Sequence, residues 1–217
     1  MELFSRYFVD ALEAAGMHVP GLFADVDDPD RLAWLRGFPD MEGRHQALSD
    51  FYLDGAVWRE HGRAANATMV DSDDVLLLQP VYLGPRYPLP ASPRTCAPAP
   101  DVGGGLLVVD VRARSRLDDA DPDSLVDLLR AASDAHGAEL LLVAVTHPEP
   151  NDFPALPVRD EQVVVWIMRY PDVAAREQVE AQLDVRLDDE QVRLRAVPGS
   201  QITTGARFEA RAEPPVE

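Results

Sequence analysis

Trp34-Leu-Arg-Gly-Phe38-Pro39-Asp40 and Trp166-Ile-Met-Arg-Tyr170-Pro171-Asp172 are two versions of one phrase, 132 residues apart. In each, an apolar run stops at a proline, which cannot continue a central strand. The aspartate behind it stands where a helix N-cap belongs. Upstream, Gly16 and Gly137 each close a helical pattern ahead of a β-rich run, a natural C′ position. These glycines are 121 residues apart, so the second copy holds a hairpin loop 11 residues longer, containing His147-Pro-Glu-Pro-Asn-Asp-Phe-Pro. Two copies of one unit are the economical explanation.

The second copy reads as strand 106–113, helix 121–136, strand 139–146, strand 162–169, helix 172–184 and strand 191–197. That order, βαββαβ, is a ferredoxin-like unit. The first copy reads as helix 2–15, strand 18–25, strand 31–37, helix 41–66 and strand 74–81, without a first strand. The first strand is central in this fold, so its absence opens the sheet. Three explanations compete. The chain starts late, the segment Ile202-Thr-Thr-Gly-Ala-Arg-Phe-Glu-Ala-Arg-Ala fills the gap, or the tail is frayed and the first sheet has three strands. A late start is the preferred expectation. The organisation expected is a first unit over 1–81, a semi-rigid linker over 82–104 with six prolines, a second unit over 105–200 and a tail over 201–217.

Composition narrows the function. The formal charge is −18, from 38 acidic and 20 basic residues, and every basic residue is arginine. Without lysine there is neither a Schiff-base nucleophile nor a P-loop cation, which removes pyridoxal-phosphate enzymes and common nucleotide hydrolases. An acidic chain is repelled by phosphate backbones, so no nucleic acid is expected as partner. The single cysteine, Cys96, cannot form an internal disulfide and fits a reducing cytoplasm as an incidental thiol. No apolar run approaches the ~20 residues that span a bilayer, so no membrane is expected either. The chain carries no Gly-rich phosphate loop, no Gly-x-Ser-x-Gly elbow and no cysteine cluster.

Around the first copy, Arg31-Leu-Ala-Trp34-Leu-Arg36-Gly37-Phe38-Pro39-Asp40 is followed by Phe51-Tyr52, Val57-Trp58, His61 and Ala65-Asn66-Ala67-Thr68-Met69 through Leu78. This series, over residues 1–81, resembles the NIPSNAP family of the dimeric α/β-barrel superfamily. The second half matches only by pattern. The resemblance implies ferredoxin-like units whose sheets pack face to face into a barrel. Relatives in the superfamily include cofactor-independent monooxygenases, haem enzymes, polyketide cyclases and pocket proteins. The resemblance brings no catalytic motif. The expected fold is therefore α+β, with tandem ferredoxin-like (βαββαβ) units forming an intramolecular α/β barrel whose first unit lacks its first strand.

Candidate site residues have competing readings. His61 lies one helical turn after Trp58, so the two share a face, and its reference pKa near ~6.5 suits a proton shuttle. It also reads as an inert, hydrogen-bonded histidine. Trp34, like Trp166, lines a cleft between sheet and helices or fills core. Arg36 shares a strand face with Trp34; turned inward it would call for an acidic or enolate ligand, and otherwise it snorkels at the strand end. Asn66 caps its helix in a left-handed conformation or orients a substrate oxygen. Asp71, Asp73 and Asp74 lack the glycine and glutamate of an EF-hand and read as turn and cap residues. His18, His45, His136 and His147 show no zinc spacing. The expectation is a small-molecule-binding barrel without cofactor or metal. It is either a cofactor-independent enzyme on an aromatic or polyketide-like substrate or a non-catalytic structural or interaction module, as monomer or homodimer.

Overall fold

Local chemistry sets the ends of most elements. A computed structural model describes residues 3–28, 30–69, 74–87, 105–113, 121–183, 190–197 and 200–202. In chain order these hold a π-helical turn (Phe4–Phe8), α1 (Val9–Ala14), β1 (His18–Asp25), β2 (Leu32–Gly37), α2 (Met41–Tyr52), α3 (Ala56–Asn66), β3 (Leu78–Leu83), β4 (Leu106–Ala113), α4 (Pro122–Ala135), β5 (Glu139–Thr146), β6 (Val163–Tyr170), α5 (Val173–Gln182) and β7 (Glu190–Ala196). Both repeated aspartates are N-caps. The Asp40 carboxylate accepts from the Gly43 amide at 2.7 Å and that of Asp172 from the Ala175 amide at 2.8 Å. Gly16 and Gly137 adopt φ of +94° and +67°, the left-handed turn that closes the helices before β1 and β5.

Three expected elements differ, the first being the helix over 2–15, which opens as the π-helical turn before the short α1. The single helix over 41–66 is broken after Tyr52, because Gly55 enters an extended conformation and starts a second helix. The strand expected over 74–81 forms at Leu78–Leu83, with a turn following through Tyr87. The start of the expected linker is therefore part of the fold: the Gly84 amide donates to the Leu141 carbonyl at 2.9 Å. Tyr87 packs against the core, and burial pushes its phenol up to about 12. Cys96, Asp71, Asp73 and the tail over 203–217 lie outside the described residues.

Every strand pairs antiparallel, in the order β2-β1-β7-β4-β6-β5-β3. The second half has the βαββαβ succession, and its strands lie as β7-β4-β6-β5, with its first strand inside. Strands of the first half flank it on both sides: β1 adds to β7 and β3 adds to β5. Prolines sit where a sheet tolerates them. Pro20 falls in a register shift of β1, and Pro80 lies on the edge strand β3.

The sheet is curled. Laid flat, six gaps of ~4.8 Å would put β2 and β3 ~29 Å apart. Instead Ala33 and Leu35 of β2 and Leu78 of β3 pack on one core with Phe23, Leu107, Leu142, Ala144, Ile167 and Leu194. At one end the Arg31 guanidinium donates to the Asp74 carboxylate at 2.8 Å. Asp74, expected as a turn or cap residue, thus links the segments that lead into the two edge strands. The opposite face carries the helices. Helices α4 and α5 cover a core around Val108, Val143, Trp166 and Met168, while α1, α2 and α3 cover one around Leu12, Val19, Leu22, Leu48 and Phe51. Among the described residues, no helix is long and apolar enough to cross a membrane.

Candidate functional site

The helix-facing side of β2 brings most of the predicted residues together. Trp34 and Arg36 project to the same side, and the Arg36 guanidinium lies 5.0 Å from the Trp34 ring and 5.9 Å from the Phe38 ring. It donates to the Tyr52 hydroxyl at 3.2 Å. From the last turn of α2, Tyr52 meets Trp58 of α3 edge to face at 4.6 Å. Trp58 also touches Phe8 and Phe51, and Phe4 meets Trp34 at 4.8 Å. The result is a half-buried aromatic wall with one guanidinium set in it. Arg36 is not turned to the inner face of the curled sheet; β2 directs its even positions toward the helices and Ala33 and Leu35 inward.

His61 is half-buried at the edge of this wall. Its ring stacks on Tyr7 at 4.2 Å and comes within 3.8 Å of the Glu60 carboxylate. That carboxylate is adjacent in sequence and mostly exposed, and it does not come from one helical turn away. Asn66 is exposed, two turns beyond Trp58, and is not left-handed. The end of α3 is satisfied otherwise, by the Thr68 hydroxyl donating to the Ala65 carbonyl at 2.7 Å. Trp34 and Trp58 join one cluster, Arg36 and His61 border it, and Asn66 stands apart.

Charge around Arg36 is unusual for so acidic a chain. Among the described residues, no carboxylate lies within ion-pair reach of it, and its hydrogen-bond partner is the neutral Tyr52 hydroxyl. Nearby Arg44 is 3% exposed, and burial, with Arg36 adding repulsion, lowers its pKa. Arg44 pairs with the Asp152 carboxylate and donates to the Asn151 side chain at 3.0 Å. The loop after β5 is thereby tied to α2, where Phe153 packs on His45 and Tyr52. Arg44 and Asp152 were not singled out from sequence. The only trace was the length of that loop, since the partners lie 108 positions apart.

Two other polar regions are present. A cleft of about 540 Å³ between the β5–β6 loop and the start of β3 is lined by Leu77, His147, Glu149, Arg159, Asp160 and Gln162. Under α5, Asp110 and Arg112 are both 3% exposed and pair at 3.0 Å, with the Gln191 amide donating to Asp110 at 2.8 Å. Burial pushes the Asp110 carboxyl upward. Trp166, 2% exposed, packs there 5.5 Å from the Arg112 guanidinium, so the two repeated tryptophans share a sheet side but not an environment. No group of three or more His, Cys, Asp or Glu among the described residues is placed to hold a metal.

No family model and no curated protein matches the sequence. Among solved structures, the chain is similar to a proposed monooxygenase from Lactobacillus acidophilus NCFM, at 12% identity and a TM-score of 0.45, over 91% of this chain and 88% of that one. A likeness that distant leaves both fold and chemistry to be judged on the residues above.

Proposed function

We propose that the chain is a NIPSNAP-like small-molecule-binding α/β barrel of two ferredoxin-like halves, whose ligand lies against the helix side of β2. The supporting observation is Arg36. A guanidinium held between Trp34 and Phe38, bonded to the Tyr52 hydroxyl and without a carboxylate among the described residues, suits a flat apolar anion. An aromatic or polyketide-like enolate has that chemistry. Trp34 and Trp58 would supply apolar faces, and His61, at the edge of the same wall, would move a proton in a cofactor-independent reaction. The protein would work in the cytoplasm as a monomer or homodimer.

One observation favours a second reading, a non-catalytic structural or interaction module. The inner face of the sheet is packed with Phe, Leu, Ile and Ala side chains rather than opened around His61. Native mass spectrometry of the purified protein, followed by titration with hydroquinones, aryl carboxylates and β-diketones, separates the two. The binding reading expects one class to bind and Arg36→Gln to weaken it about tenfold or more at unchanged melting temperature, in keeping with ~1.5–3 kcal/mol for a charged hydrogen bond. Failure of every class to bind wild type would leave the interaction module.

A further inference from the structure

The two edges of the sheet run in the same direction. Neighbours alternate along β2-β1-β7-β4-β6-β5-β3, so with seven strands β2 and β3 are parallel to each other. They also share one core and are joined at their starts through Arg31 and Asp74. Two parallel edges facing across a seam cannot close as an antiparallel barrel, but one strand running opposite to both would close it. Among the described residues, β2 pairs only with β1 and β3 only with β5.

The chain's own course points at this seam. Beyond β7 it crosses the start of β1, where the Gln201 and Ile202 amides both donate to the Pro20 carbonyl at 3.0 Å. The Gln201 side chain meets His18, and His18 pairs with Gly37 at the end of β2. Ile202 is 1% exposed and sits in the inner core beside Phe23. It therefore stands at the end of the barrel where a strand antiparallel to β2 must begin. From β1 to the far side of β2 is two strand spacings, ~10 Å, which ~3 extended residues cover. Fifteen residues follow Ile202 in the sequence. After Thr203-Thr-Gly comes Ala206-Arg-Phe-Glu-Ala-Arg-Ala212, with Ala, Phe, Ala, Ala at one parity and Arg, Glu, Arg at the other. Its length fits the six residues of β2 and of β3, and its alternation fits one apolar and one wet face.

We infer that the seam between β2 and β3 is an acceptor for one strand, and that the sequence after Ile202 is its occupant, with Phe208 directed inward. Pro80 removes one donor from β3, so the pairing rests chiefly on β2. Hydrogen exchange on the full chain tests this directly. Amides of residues 206–212 should exchange about tenfold or more slower than in the free peptide. Deleting residues 203–217 should deprotect Leu32–Gly37 while leaving β4, β5 and β6 slow, and a synthetic 203–217 peptide should restore that protection. Phe208→Asp provides the same readout at full length. A tail exchanging at peptide rates, with β2 indifferent to both changes, would overturn the inference. So would β2 protection that disappears on dilution, which would put a second copy in the seam.

Discussion

The indole of Trp58 lies back over Gly62, so close that a methyl group there would sit 2.7 Å from the ring. The glycine is what lets α3 carry a tryptophan pressed flat between itself, α2 and the N-terminal turn. Helix propensity alone would reward alanine at 62 by ~1 kcal/mol. The overpacking penalty of ~1–3 kcal/mol opposes it. Gly62→Ala is therefore expected to lower the denaturation midpoint and to change the tryptophan emission. A more stable variant with unchanged emission would refute this.

Arg44 and Asp152 bind the β5–β6 loop to α2, but they are not equivalent. Arg44 is buried, whereas the Asp152 side chain is 26% exposed. Removing the carboxylate strands a buried cation at a cost of ~3–5 kcal/mol, while removing the arginine leaves an anion that water can reach. Asp152→Ala should thus destabilise more than Arg44→Met in urea titrations. The reverse order would show that packing of the arginine stem outweighs its charge.

Asp110 carries a pH signature. Burial raises its folded-state pKa above the ordinary 3.8, against the lowering effects of Gln191 and Arg112. The folded state therefore holds the proton longer than the unfolded one, and this group's contribution falls as pH rises from about the ordinary value through the raised one. Asp110→Asn cannot ionise. Its stability relative to wild type is expected to improve over that interval, even though Arg112 loses its ionic partner. Denaturation curves between mildly acidic and neutral pH measure the difference; parallel wild-type and variant curves would exclude an ionisation cost.

His61 offers a separation of structure from chemistry. Its ring stacks on Tyr7 with planes 25° apart, and phenylalanine preserves that stacking. His61→Phe should keep the melting temperature within a few degrees, a shift of ~1 kcal/mol or less. If the histidine moves protons, turnover on whichever hydroquinone or diketone wild type accepts should fall by roughly a hundredfold or more. Unchanged turnover would remove His61 from the chemistry while leaving the Arg36 site intact.

Much of the architecture was readable from neighbours along the chain. The strands at 106–113 and 139–146, the N-caps Asp40 and Asp172, and the helix-closing Gly16 and Gly137 all appear where the sequence placed them. Each depends on interactions within a few residues: alternation on a pleated strand, a carboxylate reaching an amide three positions on, a backbone angle open to glycine. The break at Gly55 was missed because apolar periodicity continues across it and conceals the extended N-cap. The side-chain types around Arg36 were also visible, since a strand puts Trp34 and Arg36 on one face.

Partner choice over long separations was not. That β3 joins β5 rather than the β1–β2 pair, that Arg44 finds Asp152, and that Asp110 and Arg112 go under α5 are outcomes of sheet curvature and close packing. No local pattern encodes which of several apolar edges will meet, because the energy of that choice exists only once both surfaces are formed. The repeated phrase at Trp34 and Trp166 shows the division. Its strand ends and caps belong to the phrase itself. Whether each tryptophan joins a half-buried wall or a sealed core was settled by the helices folded against it.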